Sequence, residues 1–261
     1  RGGGDAKEIL IRCPRVPVRA VVDAAREDRT LAAAALSALS SRLSSKSGKA
    51  DREAFAKCAG MALLEEALDS GHPEALHSGL SVLSSLARAA EAVPPPLAAK
   101  FLGRGLEMGA PPQTQTRAAN LAGNLARHSD SYYPTLSAHI PSLTSHLETS
   151  SDSGLLKFSS FALGNMAFHT SELYPLLKGS VTGLLRATRR GDAKGRANAA
   201  GALGNLARNG GECCAEMRVK GVGTRLLDMV RDREEEASVK SIAFFSLGTL
   251  AVWKECRGEL L

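Results

Sequence analysis

Three asparagines, Asn124, Asn165 and Asn205, stand in nearly the same surroundings: "AGNLARH", "LGNMAFH" and "LGNLARN". A carboxamide carries two N–H donors and an acceptor oxygen, so a row of them can bridge the backbone of an extended peptide whatever its side chains. Buried, the same asparagines can instead hydrogen-bond to the next repeat's helix end and satisfy an orphaned backbone group. The sequence leaves both readings open. Basic and imidazole groups follow in register. Arg127 and Arg208 come three residues after their asparagines, His128 and His169 come four after, and Asn209 is third in that series. Equivalent places in successive units favour a groove rim or a helix C-terminus over catalysis. These eight residues are the candidate partner-binding groove.

A second group is "RATRRGDAKGR", where Arg186, Arg189, Arg190, Lys194 and Arg196 face only Asp192. It reads either as a solvated loop or as a basic patch for an acidic partner. The chain has 33 basic and 27 acidic residues, a formal net charge of +6. That excess favours acidic protein segments without demanding nucleic acid. Single-strand binders interleave aromatic residues, and at 4% aromatic this chain has too few.

The elements that must position these groups show in a repeat. Gly123, Gly164, Gly204 and Gly248 occupy one point of a shared Leu/Ala pattern, at intervals of 41, 40 and 44 residues. Ser84 and Ser37 extend it upstream, at intervals of 39 and 47. Glycine costs about 1 kcal/mol against alanine inside a helix, so close approach of a neighbouring backbone must offset it. A period near 40 with a fixed small residue is the signature of armadillo or HEAT repeats. The fold predicted is an all-α, armadillo/HEAT-like α-solenoid of about six repeats, and 44% hydrophobic residues with so few rings suits an Ala/Leu core.

Residues 1–261 read as a single solenoid. The part before residue 30 is irregular apart from a helical face of Val18, Val21, Val22 and Ala25. Residues 44–53 are small, polar and charged, and they absorb the longest interval as a loop insertion. The best-matching repeats span 94–255. Tyr-Pro pairs at 133–134 and 174–175 open matching early helices, and "RDREEEA" near residue 231 is a solvated turn. A start at Arg1 without methionine, and an apolar finish at Leu260 and Leu261 where a polar cap belongs, suggest a segment of something longer.

The Gly-Asn-Leu-Ala register, with asparagine on the third helix of each unit, resembles the armadillo family. That family stacks its third helices along a concave groove whose asparagines commonly hold extended partner segments. "RANAAGALGNLARN" and "FSSFALGNMAFHTSELYPLL" further resemble the C-terminal repeats of the Fused-type serine/threonine kinases, most specifically over residues 116 to 210. This resemblance implies a regulatory, partner-binding region, with roles in Hedgehog signalling and in the central pair apparatus of motile cilia. Acidic tails such as those of tubulin become candidate targets, and the location implied is cytoplasmic, extending to the axoneme. The alternative is an importin-like cargo adaptor. Members of that branch carry tryptophan four residues before the groove asparagine, where this chain has Asn120, Phe161 and Gly201. Its single tryptophan, Trp253, follows Thr249, which replaces asparagine in the last unit.

Enzymatic chemistry finds no support in motifs. There is no phosphate loop, no kinase HRD or DFG triplet and no GxSxG elbow. The six histidines form no i, i+4 pair with glutamate, and the five cysteines lack CxxC spacing, so neither a metal site, a disulfide framework nor any cofactor is expected. No apolar run of membrane-spanning length and no signal segment is present, so the expectation is a soluble intracellular chain.

Overall fold

The structure is a computed structural model that describes residues 8–9, 11–90, 92–128, 130–169, 172–209 and 211–257, and for residues 130, 209, 211 and 212 it describes the backbone only. The expectations for Arg1, for Leu260 and Leu261, and for the Asn209 side chain lie outside the described residues. Among the described residues every regular element is a helix.

Contacts gather into two compact units, Arg1–Gly105 and Leu106–Leu261. In the first unit α1 (Val18–Glu27) and α2 (Ala32–Ser44) are followed by α3 (Lys49–Lys57), α4 (Gly60–Asp69), α5 (Pro73–Arg88) and α6 (Pro95–Gly105). Helix α2 packs on α5 and α1 on α4. The four residues expected on one face of α1 are all buried. Residues 44–53 are not one loop. Only a turn around 45–48 is irregular, because α3 then starts at Lys49, buries Phe55 and is pinned when Asp51 takes both Nε and Nη2 of Arg42 at 3.0 and 2.9 Å.

The second unit continues with α7 (Pro112–Leu125), α8 (Tyr133–Thr149), α9 (Ser153–His169), α10 (Tyr174–Leu177), α11 (Val181–Arg190), α12 (Ala193–Asn209), α13 (Gly211–Val219), α14 (Val222–Arg231), α15 (Ala237–Ala251) and α16 (Lys254–Arg257). Third helices α7, α9, α12 and α15 pack in series, and second helices α8 and α11 pack beside them. The Tyr-Pro pairs do open helices, with proline in the first turn where its missing N–H costs nothing. They do not open matching ones, because α8 runs unbroken through Pro141 while the other tightens into a 3-10 turn at Lys178–Ser180.

Candidate functional site

The series of third helices is close because its glycines leave room. A Cβ on Gly164 would lie 3.2 Å from the Ala202 Cα, and one on Gly204 would lie 2.8 Å from the Ser246 Cβ. At Gly123 the vacated space is filled by the Phe161 ring. The approach brings each carboxamide within reach of the preceding helix. Asn165 Nδ2 donates to the Gly123 carbonyl at 2.8 Å, and Asn205 Nδ2 donates to the Gly164 carbonyl at 2.9 Å. Asn198 Nδ2 donates to Lys157 at 3.2 Å, and the Ser246 hydroxyl continues the series onto Ala200 at 2.9 Å. The packing reading therefore holds for part of each amide, but the acceptors lie on the preceding repeat. Gly123 is in the last turn of α7, whereas Gly164 is well inside α9, where a carbonyl keeps a second lone pair beside its helical bond.

The amides are not fully spent. Asn165 and Asn205 are half-buried, and the oxygen of each accepts no hydrogen bond among the described residues. Together with Phe161, Asn198, Gly201 and Ile242 they line a shallow groove of about 180 Å³. Asn124 differs from them. It is buried, donates to Asn120 Oδ1 of its own helix at 3.3 Å, and is not among the residues that line this groove.

Arg127, His128, His169 and Arg208 are exposed. The Arg208 guanidinium lies 4.6 Å over the Phe168 ring, which is 45% exposed and meets His169 edge-on at 4.9 Å. Partial desolvation and the proximity of Arg127 and His128 hold the His169 imidazole below its ordinary value. Sequence reasoning passed over Phe168, although it sits in the Arg127 and Arg208 series and stacks beneath Arg208.

The junction cluster does not come together as a patch. Arg186 donates to the carbonyls of Leu147 and Ser150 at 2.6 and 2.9 Å. Arg196 grips Glu235 with two bonds of 2.7 and 2.6 Å, which pulls that carboxyl below its usual range. Arg189, Arg190 and Lys194 alone are left exposed. Arg186 belongs to a second ladder, unforeseen in the sequence, that ties second helices to carbonyls 36 to 40 residues upstream. Arg104 donates to Leu68, His146 Nε2 to Leu106, Arg186 to Leu147 and Arg225 to Thr188. Burial pushes the His146 imidazole down, the carbonyl bond opposes this, and a carbonyl can only accept, so the neutral ring carries its proton on Nε2. The recurring signal was a basic or imidazole residue at the repeat interval, obscured because the residue type changes.

At α15 the asparagine series stops. Thr249 turns its hydroxyl to Phe245 of its own helix, and Phe244, Phe245 and Val252 stand exposed beside Trp253. Trp253 Nε1 is held by the Ala207 carbonyl at 2.5 Å. Among the described residues no cluster of three or more His, Cys, Asp or Glu could hold a metal, and no helix is long and apolar enough to cross a membrane. The buried Cys214 thiol is pushed up to about 12 by desolvation beside Cys256, which makes it a poor nucleophile at neutral pH.

No family model matches the chain, and no curated protein matches it either. Solved structures do. A designed armadillo repeat protein in complex with the peptide (KR)4 superimposes with a TM-score of 0.71 at 16% identity, over 94% of this chain and 98% of its own. A computationally designed armadillo repeat protein for modular peptide recognition gives 0.72 at 17% identity, over 93% and 98%. An engineered protein gives 0.75 at 17% identity, over 90% and 99%. At these identities the likeness concerns the fold, and with the helix series above it establishes an all-α solenoid of armadillo type.

Proposed function

We propose that this chain is a non-catalytic binding scaffold that holds an extended polypeptide segment along its third-helix face. The observation that carries this reading is the half-spent state of Asn165 and Asn205. One N–H of each is fixed by repeat packing, so the amide is held in place, while its oxygen accepts no hydrogen bond among the described residues and the side chain lines an open groove. A preorganised row of amides lowers the ordering cost of binding backbone. The peptide-bound designed neighbour supports the choice of a polypeptide as ligand.

The importin-like alternative is less favoured. Phe161, at the position where that branch sandwiches lysine stems, uses its ring to cover Gly123 and stacks edge-on with Phe158 at 6.4 Å. A finer placement rests on the sequence resemblance alone: the regulatory repeats of a Fused-type kinase, acting in central pair assembly or Hedgehog signalling, in the cytoplasm or the axoneme, with tubulin tails among the targets. The scaffold reading is tested with a photo-reactive residue at Ile242, in the groove, and at Arg233, on an exposed turn. Crosslinks to an unfolded segment of a partner protein at Ile242 and not at Arg233 are expected. Equal yields at both positions would overturn it.

A further inference from the structure

The four third helices α7, α9, α12 and α15 contain no aspartate or glutamate at all, although 27 of the chain's 261 residues are acidic. Helix chemistry does not ask for this. The first turn of a helix favours acidic side chains, which meet the positive end of its dipole, and all four helices begin without one, the acid standing just ahead of three of them at Asp152, Asp192 and Glu236. Bases are kept: Arg117, Lys157, Lys194, Arg196, Arg208 and Lys240.

Two of these are neutralised from outside the helices, Lys157 by Asp192 at 3.1 Å and Arg196 by Glu235. Arg117, Lys194 and Arg208, together with Arg127 just past α7, are exposed and make no ion pair among the described residues. Arg208 is held in place without a counter-ion, by the face of Phe168. The four helices thus carry no negative charge of their own between their caps, and Arg117, Arg127, Lys194 and Arg208 stand exposed without an ion pair among the described residues.

We infer that the polypeptide held on this face is an acidic one, its backbone met by Asn165 and Asn205 and its carboxylates by Arg127 and Arg208. This rests on the scaffold reading above and adds the partner's chemistry to it. The amides set no side-chain preference, so the selectivity lies in the charge. Cations at the rim steer the encounter and disfavour basic segments, for which the third helices have no carboxylate of their own to offer.

The test is fluorescence anisotropy on the whole chain with labelled Glu-Gly, Gln-Gly and Lys-Gly repeat peptides and oligothymidylate. The Glu-Gly peptide is expected to bind about tenfold or more tighter than the Gln-Gly peptide, with affinity falling as salt screens the rim. The Lys-Gly peptide is expected not to bind. The double variant R127E/R208E, altered only at exposed positions and checked for an unchanged circular dichroism spectrum, is expected to lose the preference for Glu-Gly. Equal binding of Glu-Gly and Gln-Gly, or a preference untouched by the double variant, overturns the acidic partner and leaves the scaffold. Tighter binding of oligothymidylate overturns it in favour of nucleic acid. Failure of every peptide while Ile242 still crosslinks overturns this inference alone, whereas failure of both experiments removes the scaffold reading with it.

Discussion

The third helices and the second helices are each laced by a ladder of side chains at the repeat interval, and the two ladders use different donors. On the third helices a neutral amide or hydroxyl reaches back to Gly123, Lys157, Gly164 and Ala200. On the second helices Arg104, Arg186, Arg225 and the imidazole of His146 reach back to Leu68, Leu147, Thr188 and Leu106. The acceptors explain the choice. Leu68, Leu147 and Thr188 lie in the last turns of their helices, where carbonyls lack intrahelical partners and the dipole is negative, so a cation is favoured. Most third-helix acceptors lie inside their helices, in a tight seam where a buried charge would be costly and a neutral group adds a bond at little desolvation cost. Glycine serves both faces, since a Cβ on Gly183 of α11 would lie 2.8 Å from the Leu147 Cβ of α8, as one on Gly204 would from the Ser246 Cβ.

The comparison can be broken most easily at a cation. Arg186→Ala removes two bonds from a charged donor and is expected to lower unfolding free energy by about 2 kcal/mol in urea titration. A loss no greater than that of an amide deletion would erase the distinction between the ladders. Next comes the seam. Gly204→Ala drives a methyl group into the Ser246 Oγ and Cβ and is expected to cost about 1–2 kcal/mol. Gly248→Ala, at the equivalent point of α15 but with nothing within 4 Å, is expected to stabilise by up to about 1 kcal/mol through helix propensity. The same sign for both would show that packing does not set the glycine positions. Asn165→Ala and Asn205→Ala are each expected to cost about 1 kcal/mol, the worth of one neutral bond.

The smallest effect is in pH. The folded chain holds the His146 imidazole below its unfolded value, so between the two values the unfolded chain binds more protons. The stability from the neutral ring is present above about pH 6.5 and is lost as pH falls below it. His139, also held down by burial, contributes with the same sign. Thermal unfolding followed from neutral to mildly acidic pH is expected to show this decline, reduced in His146→Gln, which keeps a donor but does not titrate.

Much of this architecture was legible in the sequence, for identifiable reasons. The Gly-Asn pair recurs with one residue type at one interval, so the third helices and their seam could be read from Gly123, Gly164 and Gly204. The dual use of the amides could not be read, because a carboxamide has more bonding capacity than packing consumes, and only geometry tells which N–H is spent. The second-helix ladder escaped because histidine stands among arginines in no local motif. The start of α3 was hidden among polar residues, its one strong apolar anchor, Phe55, coming late in the helix. At the junction the difficulty is the converse: five bases close in sequence are sent by helix geometry to a carbonyl pair, a carboxylate and solvent.

The most direct test of the central claim follows the ¹⁵N side-chain amide signals of Asn165 and Asn205 while the Glu-Gly peptide is added. Shifts concentrated on those amides and on neighbouring residues of α7, α9 and α12 are predicted. Shifts centred instead on Arg186 and Arg225, or unchanged amide signals under saturating peptide, would contradict the account.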